Sequence, residues 1–154
     1  MEKLNVLIFV GTDGTGKSTI KKAIEKFSEY GYIVIDRLTD SIVYDEIYDR
    51  PDRKQLFYDF ENNLAKIANV MLVYFTCSPK IQMLRLNDKG EPNNIVAAID
   101  SAKRLYIEYL VNTNLYYTII DTSKNNVDRS VKQIDTMFRT YFGGENGTNN
   151  GQSW

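Results

Sequence analysis

Eight residues near the start of the chain carry the clearest chemistry: Gly11-Thr12-Asp13-Gly14-Thr15-Gly16-Lys17-Ser18. They fit G-x-x-x-x-G-K-[ST], in which glycines let successive backbone N–H groups converge on a polyphosphate. A helix starting at the lysine adds favourable partial charge at the same place. In this pattern the Lys17 ammonium reaches the β- and γ-phosphates, and the Ser18 hydroxyl ligates Mg²⁺. Gly11, Asp13, Gly14, Thr15, Gly16, Lys17, Ser18 and Thr19 are therefore the candidate nucleotide-binding residues. The expected ligand is a nucleoside triphosphate. A guanine-reading switch protein would carry Asn-Lys-x-Asp, which is absent. A motor would need a larger chain with a long hydrophobic strand ending in paired acids.

A second group is Asp36-Arg37-Leu38-Thr39-Asp40-Ser41-Ile42-Val43-Tyr44. An acid at a strand end near a phosphate loop can serve Mg²⁺ and its water shell, and an adjacent Arg can clamp a second phosphate bidentately. Asp36-Arg37 also reads as a surface ion pair at a strand terminus. A third group is Met83-Leu84-Arg85-Leu86-Asn87-Asp88-Lys89-Gly90. Arg85 and Lys89 are four apart, so a helix would turn both toward one ligand. A basic loop over transferring phosphates excludes water and neutralises developing charge, although both residues also fit solvated surface cations.

Composition bounds what these groups can serve. With no histidine and a single cysteine, Cys77, imidazole chemistry, catalytic triads with histidine, internal disulfides and Cys- or His-built metal sites are excluded. A net charge of −1 argues against bulk attraction to nucleic acid or an anionic membrane. No apolar run approaches the ~20 residues a bilayer span needs, and the N-terminal stretch lacks a signal-peptide cleavage pattern. A cytoplasmic soluble enzyme or binding protein is expected. The 154 residues, 43% hydrophobic, suit one domain burying roughly 70% of its unfolded surface.

The elements that must position these residues follow from periodicity. Leu4 to Val10 is a nearly continuous apolar run, the mark of a strand buried on both faces. Ile20, Ile24 and Phe27 predict a helix from Lys17 to about Tyr30, ended by Gly31. Tyr32 to Asp36 is a second strand. Asp49 to Asp52 starts a helix whose core stripe is Leu56, Phe60, Leu64 and Ile67. Val70 to Phe75 is a third strand, and Ser78-Pro79 opens a short helix through Met83 and Leu86. Asn87 to Asn94 is polar and predicts a loop. Ile95, Ile99, Ala102, Tyr106 and Leu110 mark a helix ending near Asn112. Tyr116 to Ile120 is the fourth strand, and Val127, Val131, Ile134, Phe138 and Tyr141 stripe the last helix. Residues 1–142 form the expected domain, and the Gly- and Asn-rich 143–154 a disordered tail. Alternating strands and helices predict an α/β three-layer fold with a four-stranded parallel sheet, its ligands beyond the strands' carboxyl ends.

Taken in order, the phosphate loop, the Asp36-Arg37 group with Ser41 and Tyr44, Arg85 with Lys89, and Ile120-Asp121-Thr122 resemble the thymidylate kinase family of P-loop nucleoside monophosphate kinases. The likeness spans Leu4 to about Phe142. It implies a P-loop NTPase fold and transfer of the γ-phosphoryl of ATP to a dTMP-like (deoxy)nucleoside monophosphate. On this resemblance ATP lies on the loop with Arg85 and Thr122 near its adenine, and Lys89 belongs to a lid. Asp13, Arg37, Ser41 and Tyr44 serve the acceptor, Asp13 at its sugar 3′-hydroxyl and Arg37 at its phosphate. Asp36 and Ser18 serve Mg²⁺, and Lys17, Arg37, Arg85 and Lys89 are the catalytic cations. The partners implied are small-molecule nucleotides and a second copy in a homodimer.

One departure is large. Family members carry another strand and helical segment before the Asp-Arg strand, whereas only seventeen residues separate Ser18 from Asp36 here. An edge strand is expected to be missing, with Tyr44, Tyr48, Arg50 and Arg53 available to rebuild part of the acceptor pocket. Two further functions stay open: a deoxynucleoside kinase, and a non-catalytic protein that sequesters or senses nucleotides. The Asn-, Ile-, Lys- and Tyr-rich composition suits a phage or a small AT-rich genome, which would place the protein in a host cytoplasm.

Overall fold

The computed structural model describes residues 3–12, 14–26, 31–36, 38–89, 99–124 and 126–143. Four strands, β1 (Leu4–Gly11), β2 (Tyr32–Asp36), β3 (Ala68–Thr76) and β4 (Tyr116–Asp121), form one sheet in the order β2-β1-β3-β4. Every pairing is parallel. The helices are α1 (Lys17–Glu25), α2 (Ser41–Ile47), α3 (Lys54–Ile67), α4 (Pro79–Lys89), α5 (Ile99–Asn112) and α6 (Val127–Phe142).

The layers follow from β1. Its residues alternate between two cores because successive side chains leave opposite faces of a strand. Val6, Ile8 and Val10 join the cluster beneath α2, α3 and α5, while Leu7 and Phe9 join the cluster beneath α1 and α6. A strand covered on both sides can use apolar side chains throughout, and for this reason Val6 to Val10 shows no alternation. The result is the expected helix–sheet–helix sandwich. β2 lies directly beside β1 and is an edge, so among the described residues the sheet has four strands with none outside β2. At the other edge, side chains of α6 take outward carbonyls of β4: Tyr141 donates to Tyr117 O at 3.1 Å and Gln133 to Ile119 O at 3.1 Å. Such capping withholds the edge from further strand pairing.

Three expectations need correction. In α3 the stripe Leu56, Phe60 and Ile67 is 63%, 38% and 71% exposed, and only Leu64 of the expected set packs on the core. The inward face is instead Phe57, Tyr58, Glu61 and Leu64, about one residue offset. Its centre is a carboxylate with hydrogen-bond partners on α5 (Tyr109) and just beyond it (Thr113), and apolar periodicity cannot register that. Second, α4 continues through Asn87 to Lys89, residues read as loop. Its anchor is Leu86, fully buried one turn earlier, and polarity alone does not stop a helix. Third, Ser41–Ile47 is a helix, where periodicity marked no element. The ends of the first and fourth predicted helices (27–30, Ile95), the loop 90–94 and the tail beyond Gly143 lie outside the described residues.

The turn from α2 into α3 is clamped by charge. Arg53 donates from Nε and Nη2 to both oxygens of buried Asp45 at 2.8 Å each, and Arg50 stands 3.9 Å away. The Arg53 hydrogen bonds hold the Asp45 carboxyl below the usual carboxylate range. A carboxylate shifted downward stabilises the fold above its unfolded pKa, and that stabilisation is lost as pH falls through the folded value. Arg53→Met is therefore expected to lower Tm by a few degrees at pH 7. The deficit should shrink as pH is lowered through the acidic range, read by thermal melts at several pH values. A deficit that grows on acidification would contradict this assignment.

Candidate functional site

The phosphate loop connects β1 to α1. Gly11 ends β1 at φ +143°, and Gly14 and Gly16 both take φ +82°, a left-handed conformation that side chains resist. Gly14 also faces Gln82 and Leu86 of α4, whose nearest atoms would stand 3.1 Å from a Cβ.

The loop's carbonyls are consumed on its outer side. Gly11 O accepts from Lys17 Nζ (2.6 Å), Thr12 O from Thr15 Oγ1 (2.8 Å) and Gly14 O from Arg85 Nη1 (3.2 Å). Thr15 O accepts from Thr122 Oγ1 (2.6 Å), and Gly16 O from the N–H of Ile20 (3.2 Å). No described group takes the N–H of Gly14, Thr15 or Gly16. With acceptors tied back and donors left over, the loop forms a concave amide nest at the start of a helix, which suits an anion.

Lys17 is 5% exposed and crosses the loop, its ammonium also 3.5 Å from Asp40 Oδ2. Ser18 and Thr19 follow on the exposed first turn of α1. Asp36 closes β2 beside Phe9 of β1, which brings it near the loop. Its Oδ1 is buried with no partner among the described residues. Buried carboxylate oxygens are almost always satisfied, so this one is available to a ligand. Ser41 begins α2, and Tyr44 stacks on Tyr48 with ring centroids 5.8 Å apart. Arg50 stands over Tyr48 at 5.2 Å. Of the four residues available for an acceptor pocket, Arg53 is already engaged by Asp45. Asp13 and Arg37 lie outside the described residues, as does the side chain of Lys89 at the end of α4.

Arg85 ties three segments together. Besides Gly14 it donates to Thr122 Oγ1 (3.0 Å) and Thr122 O (2.7 Å), while Thr122 N–H bonds Thr76 O (2.9 Å). The guanidinium braces the phosphate loop against the end of β4. Sequence reasoning missed two members of the site. Asp40 stood within the quoted segment without a role. Gln82 is fully buried and donates to Thr12 Oγ1 at 2.5 Å; its spacing of three from Arg85 was the available signal. Cys77 is buried against Gly14 O at 3.7 Å, and burial pushes its thiol up, away from reactivity.

Solved structures share this fold. The YorR protein from Bacillus subtilis, in complex with phosphorylated GDP, superposes with a TM-score of 0.70 at 22% identity, over 89% of this chain and 97% of that one. The chain has the P-loop NTPase fold. Deoxyadenosine kinase from M. mycoides with bound dATP gives a TM-score of 0.56 at 19% identity, over 88% of this chain and 100% of that one. The same enzyme with bound dCTP gives 0.59 at 16% identity, over 88% and 99%. No protein-family model and no curated protein matches the chain. No described helix is long and apolar enough to cross a membrane.

Proposed function

We propose that the protein is an ATP-dependent phosphotransferase of the nucleotide-kinase class, with a (deoxy)nucleoside monophosphate as acceptor and dTMP the first to test. The observation that carries the reading is the amide nest with Lys17 buried across it, facing the loop that follows β2. Phosphoryl transfer asks little covalent work of a protein; charge neutralisation and positioning dominate, and a chain without histidine can supply both. An acceptor oxygen attacks the γ-phosphorus as the bond to the β-phosphate oxygen breaks and ADP leaves. Lys17 and the loop amides stabilise the charge that shifts toward the β-phosphate. Arg37 holds the acceptor, and Arg85 with Thr122 fixes the donor side.

Mg²⁺ fits the residues present. Asp36 has an unpartnered buried oxygen, Ser18 adds a hydroxyl, and Mg²⁺ prefers one or two such oxygen donors alongside substrate phosphates. Among the described residues no larger cluster of metal-binding side chains exists. Bound there, the ion would offset the negative charge of the substrate phosphates.

A deoxynucleoside acceptor is the second reading, and Asp40 favours it. A buried carboxylate 3.5 Å from Lys17 suits a neutral hydroxyl, whose proton it could accept, better than an anionic phosphate. One panel separates the two: ATP with thymidine, deoxyadenosine, deoxycytidine and their monophosphates, scored for ADP release with and without Mg²⁺. Under the leading reading Arg37→Ala raises the acceptor KM at least about tenfold, as loss of a charge-assisted phosphate contact should, while ATP affinity holds. Equal transfer to nucleosides by variant and wild type would favour the second reading. Tight ATP binding with no transfer to any acceptor would leave a sequestering or sensing protein.

A further inference from the structure

Behind the loop that joins β2 to α2 lies a buried polar network. Glu61 of α3 is 1% exposed, at the centre of a face where apolar side chains would need no partners. Tyr109 of α5 donates its hydroxyl to Oε2 of Glu61, and Thr113 donates to Oε1 at 2.8 Å. The Tyr109 oxygen also lies 2.9 Å from Thr39 Oγ1, and Thr39 is fully buried. Thr39 also hydrogen-bonds the Glu61 carboxyl, so Thr39, Tyr109 and Thr113 converge on one buried group.

A network of this kind costs desolvation that well-packed apolar side chains would avoid, yet once fully satisfied it specifies one arrangement. What it specifies here is Thr39. That residue lies three after Asp36, whose buried oxygen is unpartnered, and immediately before Asp40, whose carboxylate meets Lys17. Its carbonyl accepts the N–H of Ile42 at 3.0 Å, and Asp40 O accepts from Val43 at 2.9 Å and Tyr44 at 3.0 Å. The loop is thus held from behind by α3 and α5 and turned directly into α2.

We propose that Glu61, Tyr109 and Thr39 are positioning residues, which fix the loop after β2 so that Asp36 and Asp40 face the phosphate loop at the distance transfer requires. The kinetic consequence rests on the phosphotransferase reading; the consequence for the loop does not. Thr39→Val keeps the shape and deletes the donor. It is expected to raise the acceptor KM and lower kcat by about tenfold each, since small misplacements of reacting groups are costly, while the KM for ATP moves less than about twofold. Thr39→Ser restores the hydroxyl and should recover most of the loss, and Tyr109→Phe should reproduce Thr39→Val. A fall in Tm with both KM values and kcat unchanged, or an equal loss toward ATP and acceptor, would overturn the proposal.

Amide hydrogen exchange tests the same claim without turnover. In the ligand-free protein, Thr39→Val and Tyr109→Phe should each speed exchange at residues 38–43 relative to β3 and α1. Should wild type transfer to no acceptor, the enzymatic reading fails while faster exchange confined to 38–43 still supports positioning. Exchange that is unchanged, or raised uniformly, sinks it.

Discussion

Lys17→Ala is expected to lower the single-turnover rate with ATP and acceptor by about a thousandfold, a typical cost of removing one preorganised stabiliser of transition-state charge. ATP affinity should fall much less, because the loop amides bind ground-state phosphate without the ammonium. The geometry explains why Lys17 has a large share. It is buried, held at 2.6 Å by Gly11 O and 3.5 Å from Asp40, so its position is set before any nucleotide arrives. Preorganisation of this kind avoids the reorganisation a solvated lysine would need during reaction. Lys17→Arg should fail too, since a planar fork cannot enter the space a compact ammonium fills between the Gly11 carbonyl and Asp40. Rapid-quench measurement of product, beside calorimetric titration with ATP, separates the two quantities. Transfer at the wild-type rate in Lys17→Ala would remove the phosphate loop from the proposed function.

What the residues disclosed in advance, and what they withheld, divides along one physical line. Features encoded by neighbours in sequence were legible. The apolar run Val6 to Val10 demanded cover on both faces, and the glycines before Lys17 demanded a left-handed loop; both demands are met at β1 and at Gly14 and Gly16. The short connection between Ser18 and Asp36 left room for one helix and no extra strand, and β2 lies at the edge beside β1. Features decided by partners far along the chain were not legible. The face α3 turns inward depends on Tyr109 and Thr113, some fifty residues away, which make a buried Glu61 tolerable. Asp45 is buried on α2 because Arg53 arrives from the next turn. For Arg85, helical spacing suggested a cation facing a ligand but not its bonds to Gly14 and Thr122, placed by α1's loop and by β4. Spacing states which residues share a face. It does not state what that face meets.

Gly11→Ala should be the most damaging single methyl in the chain, lowering stability by about 3 kcal/mol or more, the sum of a strained backbone and a hard contact. At φ +143° a side chain is strained wherever it stands, and a Cβ built on Gly11 would lie 2.6 Å from the carbonyl oxygen of Phe75. Neither party can step aside. Gly11 pairs with Phe75 at the end of a β1–β3 ladder that runs from Leu4, and Phe75 is itself buried in edge contact with Phe9. A shift at this point would open the two central strands and move the loop that begins there. Two other glycines separate strain from contact. A Cβ on Gly16, at φ +82°, would find its nearest atoms at 3.8 Å, and one on Gly31, at φ +57°, would find open space within 4 Å. Alanine at those positions should cost only the left-handed backbone penalty, roughly 1–2 kcal/mol. Denaturant titrations of the three variants should therefore rank Gly11→Ala well below the other two. If it unfolds within about 1 kcal/mol of Gly31→Ala, the close approach of β1 and β3 at Phe75 does not constrain the loop, since backbone strain alone accounts for a cost of that size.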